Sequence, residues 1–417
     1  MGINFPATPA VGELHPNPAQ AGIPQYKWDG ATWVTVAAAG DTGYVKRTGD
    51  IMSGLLTLSG NPVGALDAVP KQYAAPLDAL AYSGMQINGG VEISQQHGGN
   101  TIAVTNYAST PVMDGWRAAA GHASATFTVN LLDTGTATLA SGVYFPRVLG
   151  FGATAAMPSV GAADFAYLVQ PIEGYRTSRL GWGTAAARPL TIAFWVSPPV
   201  SGTLAVAVQN KTNSRSYIVD VPVVAGWQYK TVTIPGETSG AWEKGSETGI
   251  SLYFSSMAGS NYRAAANTWH ATNVFTTAAT TNFFTAQGNT IFITGVVVLP
   301  GIYAPTAEQS PLIMRPYNQE LVTCQRYYEK GVEPLLYRNS PLGVTAAYDE
   351  VRFVATKRAA PTISITATWE YYSGATNTPW APTGIGPYFD KFTFNCIGAT
   401  NWCGWTGAGT WAADARL

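Results

Sequence analysis

The sequence predicts a mainly β protein. It reads as a short N-terminal hairpin, a thin strand-and-helix shaft, a β-sandwich of jelly-roll type and a small C-terminal β-rich domain. Three observations carry this. Charged residues make up 11% of the 417, less than half the usual share of about 25%. Gly, Ala, Thr and Ser take their place, which favours short strands and tight turns over charged surface helices. Between residues 86 and 310, short β-rich runs alternate with turn residues at the spacing of a sandwich or jelly roll.

Residues 1–40 are rich in Pro, Gly and Ala. Tyr26, Trp28 and Trp33 stand out in QYKWDGATWV, and Asp29-Gly30 between them reads as a two-residue hairpin turn. So short a segment buries little alone. Its aromatics either pack on each other or dock the chain onto a larger assembly, and the two readings are compatible. In residues 41–85, Leu56 and Leu58 alternate with Thr57 and Ser59, giving a strand with one apolar face. Leu66, Val69, Tyr73, Leu77 and Leu80 then recur at spacings of three and four, a helical stripe. Pro70 and Pro76 keep any helix short. A thin strand and a few helical turns leave that stripe bare in a single chain, so neighbouring chains must cover it.

Residues 86–310 form the sandwich, with strands expected at Thr191–Ser197, Thr203–Val208, Ser216–Val221, Gln228–Ile234, Ile250–Phe254 and Thr290–Val298. Residues 311–417 open with a short helical run, Gln319 to Glu329. Further β-like runs follow at Val351–Ala355, Thr362–Thr368 and Phe392–Cys396. The last stretch is crowded with aromatics, among them Trp402 and Trp405.

Composition also excludes functions. A formal net charge of -1 leaves no basic face for phosphates, so nucleic acid is not an expected partner. No apolar run reaches the length of a membrane span, so no membrane insertion is expected. Residues Met1 to Leu14 lack a basic segment followed by a hydrophobic core, so no signal peptide is expected. The three cysteines give no disulfide framework. Cys396 and Cys403 are able to pair, but free buried thiols fit a protein made in a cytoplasm.

No catalytic or metal motif is present: no G-x-S-x-G, H-E-x-x-H, Walker loop or paired C-x-x-C. Gly150-Phe151-Gly152 and Gly181-Trp182-Gly183 read as turns. The four histidines are scattered without metal spacing, so no metal and no cofactor is expected. A glycosidase needs two carboxylates about 5 to 10 Å apart, and Asp220, Glu237, Glu243 and Glu247 lie in or near the sandwich. Surface or turn roles are the simpler reading of them, and the chain is not expected to be an enzyme. Trp195 and Trp227 sit within alternating runs and read as core. Trp242, Trp269, Trp402 and Trp405 are flanked by Gly, Asn, Thr and Ser. Core and exposed platform are both open to these four. An exposed indole offers a flat apolar surface to a sugar ring at little entropic cost.

Three groups of residues carry a resemblance. Thr48-Gly49-Asp50, Met52-Ser53-Gly54, Leu56-Thr57-Leu58-Ser59-Gly60, Pro62, Ala65-Leu66 and Lys71-Gln72-Tyr73 form the first. Phe194-Trp195-Val196, Arg215-Ser216-Tyr217, Trp227, Thr233-Ile234-Pro235-Gly236 and Trp242 form the second. Pro300-Gly301, Arg315-Pro316-Tyr317, Glu320-Leu321 and Cys324-Gln325-Arg326-Tyr327-Tyr328 form the third. In that order they resemble the shaft repeat, the carbohydrate-module-like jelly roll and the junction of tailed-bacteriophage fibre proteins. The resemblance implies a homotrimeric virion protein made in the host cytoplasm. Residues 1–40, with Tyr26, Trp28 and Trp33, would attach it to other virion proteins of the tail, baseplate or neck. Residues 41–85 would trimerise through Leu66, Val69, Tyr73, Leu77 and Leu80. The outer domains would act as a tail-fibre adhesin, with host-surface polysaccharide as partner and Trp242, Trp269, Trp402 and Trp405 as binding residues. A neck, collar or head-attached fibre is the alternative within that class. A tailspike depolymerase is the alternative from another class, although no long β-helix repeat is visible.

Overall fold

The computed structural model describes residues 4–20, 23–36, 84–122, 126–133, 139, 142–333, 338–339, 346–366, 369–372, 377–380, 383–397, 402–405 and 409–417. In residues 333, 338–339, 346–349, 369–372, 377–380, 383–384, 395–397, 402–405 and 409 it describes the backbone alone. The chain divides into two compact units, Met1–Pro70 and Lys71–Leu417. The expected shaft helix and its residues Leu66, Val69, Tyr73, Leu77 and Leu80 lie outside the described residues.

In the first unit, β1 (Leu14–His15), β2 (Tyr26–Trp28) and β3 (Trp33–Thr35) form a three-stranded antiparallel sheet. Trp28 pairs with Trp33, so the hairpin loop has four residues, 29–32, and not the expected two. The Asp29 carboxylate accepts hydrogen bonds from the backbone N–H groups of Ala31 (2.8 Å) and Thr32 (2.7 Å), which closes the longer loop. Those bonds, Thr32 first, hold its carboxyl below the ordinary value. Phe5 stacks on Trp33 at 5.0 Å and meets Tyr26 edge-on at 5.1 Å; Trp28 lies 5.6 Å from Trp33. The three aromatics therefore build a small core of their own around Phe5.

The second unit holds the sandwich. Its thirteen described strands are β4 (Ile102–Val104), β5 (Ala108–Met113), β6 (Trp116–Gly121), β7 (Phe127–Asp133), β8 (Arg147–Ala153), β9 (Phe165–Glu173), β10 (Leu190–Ser197), β11 (Gly202–Gln209), β12 (Ser216–Val223), β13 (Gln228–Ile234), β14 (Thr248–Ala258), β15 (Trp269–His270) and β16 (Thr290–Pro300). One sheet runs β13-β10-β16-β8-β7-β4, the other β15-β12-β11-β14-β9-β6-β5, with every pairing antiparallel. The expected strands are all present. Gly150-Phe151-Gly152, expected as a turn, lies inside β8 instead. The glycines there serve packing, since a Cβ at Gly150 would fall 2.8 Å from the Phe292 ring.

The core between the sheets follows the period-2 pattern. Leu190, Ile192, Phe194 and Val196 of β10 point inward with Leu168, Val206 and Phe254. The alternate residues of β10, Ala193 and Trp195, are also buried, under Phe145, Ile313 and Met314. A strand covered on both faces reads as an unbroken apolar run, which is the pattern of TIAFWVS. On β16 the inward set switches from Ile291 and Ile293 to Val296 and Val298. A β-bulge absorbs the switch, with Gly295 at φ +59°. A Cβ there would also sit 2.5 Å from the Phe145 ring.

The segment from residue 84 to 93 enters as buried, irregular backbone. Met85 N–H donates to the Val298 carbonyl at 2.8 Å, and Val296 N–H donates to that of Gly89 at 2.9 Å. Trp116 Nε1 donates to the Asn88 carbonyl at 3.1 Å. The helix of the junction, Tyr317–Gln325, is shorter than expected, because Tyr328 already opens the next strand. Its polar residues are engaged structurally. Arg315 bonds Glu320 (2.9 Å) and the carbonyls of Gly84 (2.7 Å) and Gln86 (3.1 Å). Arg326 grips buried Glu173 with two bonds, of 3.0 and 2.6 Å, and the Tyr327 hydroxyl adds a third at 2.7 Å.

Beyond the helix, β17 (Tyr328–Glu333), β18 (Arg338–Asn339), β19 (Ala346–Arg352), β20 (Thr362–Thr366), β21 (Trp369–Tyr372), β22 (Asn377–Trp380), β23 (Thr383–Pro387), β24 (Lys391–Ile397), β25 (Trp402–Trp405) and β26 (Gly409–Asp414) form three small sheets. Val351, Phe392, Phe394, Trp411 and Ala413 make a core shared by two of them, β17-β26-β20 and β19-β24-β23. The run expected at Val351–Ala355 is a strand only to Arg352, where β19 ends. Lys357 is buried against Glu329 and lies 4.3 Å from the Phe353 ring centre.

Candidate functional site: a tryptophan corner

Three tryptophans, two from loops and one from a short edge strand, meet on the sandwich. Trp182 follows a helical turn, Gly174–Thr177, and a 3-10 turn, Ser178–Leu180, that ends on Gly181 in the left-handed region. Trp242 lies on the loop between β13 and β14. Trp269 opens β15, paired opposite Tyr217. The rings are mutually edge-to-face: Trp182 is 4.7 Å from Trp242 and 5.4 Å from Trp269, and Trp242 is 5.9 Å from Trp269. Perpendicular packing of this kind places positive ring edges on negative ring faces.

The three rings are not equivalent. Trp182 is buried and donates its N–H to the Arg188 carbonyl at 2.7 Å. Trp242 is partly exposed and donates to the Ser239 carbonyl at 3.0 Å. Trp269 is also partly exposed, but its indole N–H is shielded and lacks a partner in the structure. The floor is core and the rim is indole. Local pattern leaves core and platform equally open for Trp242 and Trp269; the structure makes each of them both.

Beside Trp242 opens a recess of about 210 Å³, open solvent included, lined by Thr177, Ser178, Trp182, Trp242, Glu243, Lys244 and Ile250. Its two walls are tied together. Tyr175 N–H donates to the Gly245 carbonyl at 2.9 Å, and Gly174 N–H donates to that of Glu247 at 2.8 Å. Gly174 also permits close approach, since a Cβ there would fall 2.7 Å from the Glu243 carbonyl oxygen. Tyr175 is exposed here. A flat apolar ring edged by hydroxyls and charges suits a sugar, which has apolar ring faces and a hydroxylated rim.

The four carboxylates considered for hydrolysis have partners. Glu237 is buried against Arg215 at 2.5 Å, and Asp220 accepts from the Thr277 hydroxyl at 2.7 Å. Glu243 and Glu247 flank Lys211 at 3.9 and 3.5 Å, and Arg358 adds a bond to Glu247 at 3.2 Å. Burial raises the Glu247 pKa, but Arg358 and Lys211 outweigh it, so the carboxyl sits below its ordinary value.

Elsewhere the predicted residues do not gather. Trp402 and Trp405 lie on β25, opposite Asn339 and Tyr372 and opposite Trp369 respectively, in a different sheet system from the corner; their side chains lie outside the described residues. Trp195 is core as expected, while Trp227 is only partly covered. A second aromatic group lies on the outer face of the seven-stranded sheet. There Tyr167, Tyr253 and Phe275 pack at 5.0 to 5.6 Å, and Val274 and Phe275, from the β15–β16 connection, cover the sheet. That face is filled by the chain itself. Its signal in sequence was the apolar pair Val274-Phe275 within a polar loop.

No protein-family model matches the chain. No curated protein matches it either. Among solved structures, it is similar to the enzymatically active domain of tailspike protein 4 of bacteriophage CBA120, at 12% identity and a TM-score of 0.26, over 52% of this chain and 21% of that one. The chain thus spans about a fifth of the tailspike chain's length. It is also similar to the family 11 carbohydrate-binding module of Clostridium thermocellum in complex with a mixed-linked tetrasaccharide, at 11% identity and TM-score 0.24, over 48% and 95% of the two chains. The CBM22-1 xylan-binding domain of Paenibacillus barcinonensis Xyn10C gives 9% identity and TM-score 0.24, over 49% and 97%. Likenesses this low carry no argument about function.

Proposed function

We propose that the chain is the subunit of a trimeric bacteriophage fibre whose sandwich binds host-surface glycan at the tryptophan corner. The observation that carries the binding site is Trp242, partly exposed on the rim of a recess that also presents hydroxyl and charged groups. The fibre reading is supported by the order of shaft-like, jelly-roll-like and junction-like motifs in the sequence. Residues 1–40 would attach the fibre to the virion, and the stripe from Leu66 to Leu80 would trimerise it. Binding is favoured over hydrolysis because each candidate carboxylate has a structural partner, and a general acid needs a raised pKa that Glu247 lacks.

A shallow recess beside one indole face binds weakly, on the order of millimolar, given its small buried area. Threefold repetition and several fibres per particle raise avidity by about 10² to 10⁴ without new contacts. The test uses purified full-length protein. Light scattering should report three chains, and labelled trimer should coat host cells. Trp242→Ala should reduce coating with an unchanged circular dichroism spectrum. A stable monomer at micromolar concentration removes the fibre reading. Folded Trp242→Ala trimer that coats like the parent removes this site.

A further inference from the structure

We propose that the recess at the tryptophan corner selects a sugar carrying a carboxylate, such as a uronic acid, over a neutral one. This rests on the glycan-binding reading and names its ligand class. The argument is a local charge balance. Lys211 and Arg358 face Glu243 and Glu247, two cations against two carboxylates, at 3.2 to 3.9 Å. Lys244 lines the recess beside Trp242. It makes no ion pair or hydrogen bond among the described residues, so its ammonium is the surplus charge of the site. The whole chain carries a net charge of -1, which hides this local excess.

The remaining groups complete a subsite. The Trp242 N–H is already used by Ser239, which fixes the ring and leaves its exposed part for stacking. The Ser178 and Thr177 hydroxyls donate to the carbonyls of Tyr175 and Gly174 only at 3.4 Å. Hydroxyl bonds that long are weak, so the partly exposed Ser178 hydroxyl can turn toward a ligand, while buried Thr177 stays packed on Gly249. Glu243 also lines the recess and opposes an anion, but Lys211 partly offsets it. A uronate would stack its ring on Trp242, set a hydroxyl against Ser178, and place its carboxylate by Lys244.

The test is titration of the full-length protein with galacturonate and alginate oligosaccharides, and with neutral galactan and mannan oligosaccharides of equal length. At low salt at least one acidic ligand should bind about twofold to fivefold tighter than its neutral counterpart, the range of an exposed ion pair. The gap should close in about 1 M NaCl, where the screening length is near 3 Å. Lys244→Gln should abolish the gap, while Trp242→Ala should weaken binding of both kinds. If the parent binds both kinds equally, or Lys244→Gln keeps the gap, the acidic preference is wrong and the glycan reading stands. If none of the four ligands binds, both fall.

Discussion

Replacing Arg326 with Met should loosen the joint between the sandwich and the C-terminal sheets. Glu173 is 2% exposed. It is held by two Arg326 bonds of 3.0 and 2.6 Å and by the Tyr327 hydroxyl at 2.7 Å. Arg326→Met leaves a buried carboxylate with one donor. Breaking a fully buried pair costs about 3–5 kcal/mol. Because the Arg326 side chain is 31% exposed, water reclaims part of that, and about 2–4 kcal/mol remains. The loss should be local. Arg358 N–H donates to the Arg326 carbonyl at 3.1 Å, and Ala415 N–H to that of Tyr327 at 2.8 Å. These amides should exchange hydrogen about 30-fold to 1,000-fold faster, at 1.4 kcal/mol per tenfold. Mass spectrometry of peptides spanning 355–358 and 411–417 reads this directly. The double variant Glu173→Leu with Arg326→Met should recover much of the protection, since apolar replacements of a buried pair are often neutral. Unchanged exchange in Arg326→Met, or a double variant no better than the single, would refute the reasoning.

Two further outcomes are expected. Burial pushes the Asp114 carboxyl up to about 6, against the bonds it accepts from Gln95. A folded value above the unfolded one means the native state binds more protons between about pH 4 and 6. This group therefore favours folding more as pH falls through that window and penalises it above, by up to about 3 kcal/mol. A carboxyl ¹³C titration, assigned with Asp114→Ala, should show a midpoint near 6; a midpoint near 4 contradicts the burial argument. Cys324 is buried, and that burial raises its thiol well above the usual range. Peptide mapping after iodoacetamide at pH 8 should find Cys324 unmodified in the folded protein and modified in denaturant; rapid native labelling would contradict its burial.

The β class, the sandwich strands from Leu190 to Pro300 and the junction helix were legible because each rests on local periodicity and on turn residues close in sequence. The same local signal misled elsewhere. It cannot see that Gly150-Phe151-Gly152 is flattened against Phe292, that the Asp29 side chain closes a four-residue loop, or that Tyr328 leaves the helix for a strand paired with Asp414. The site was half legible. The residue types of Trp242 and Trp269 marked them as candidates, but only the tertiary structure brought them onto Trp182 and left Trp402 and Trp405 in a different sheet. The joint was named by its motif and explained only by its partners, with Arg326 and Glu173 153 residues apart. Spacing along a chain fixes which face a residue shares with its near neighbours. Which distant groups meet that face is set by how the strands are ordered in the sheets, and no local pattern encodes that order.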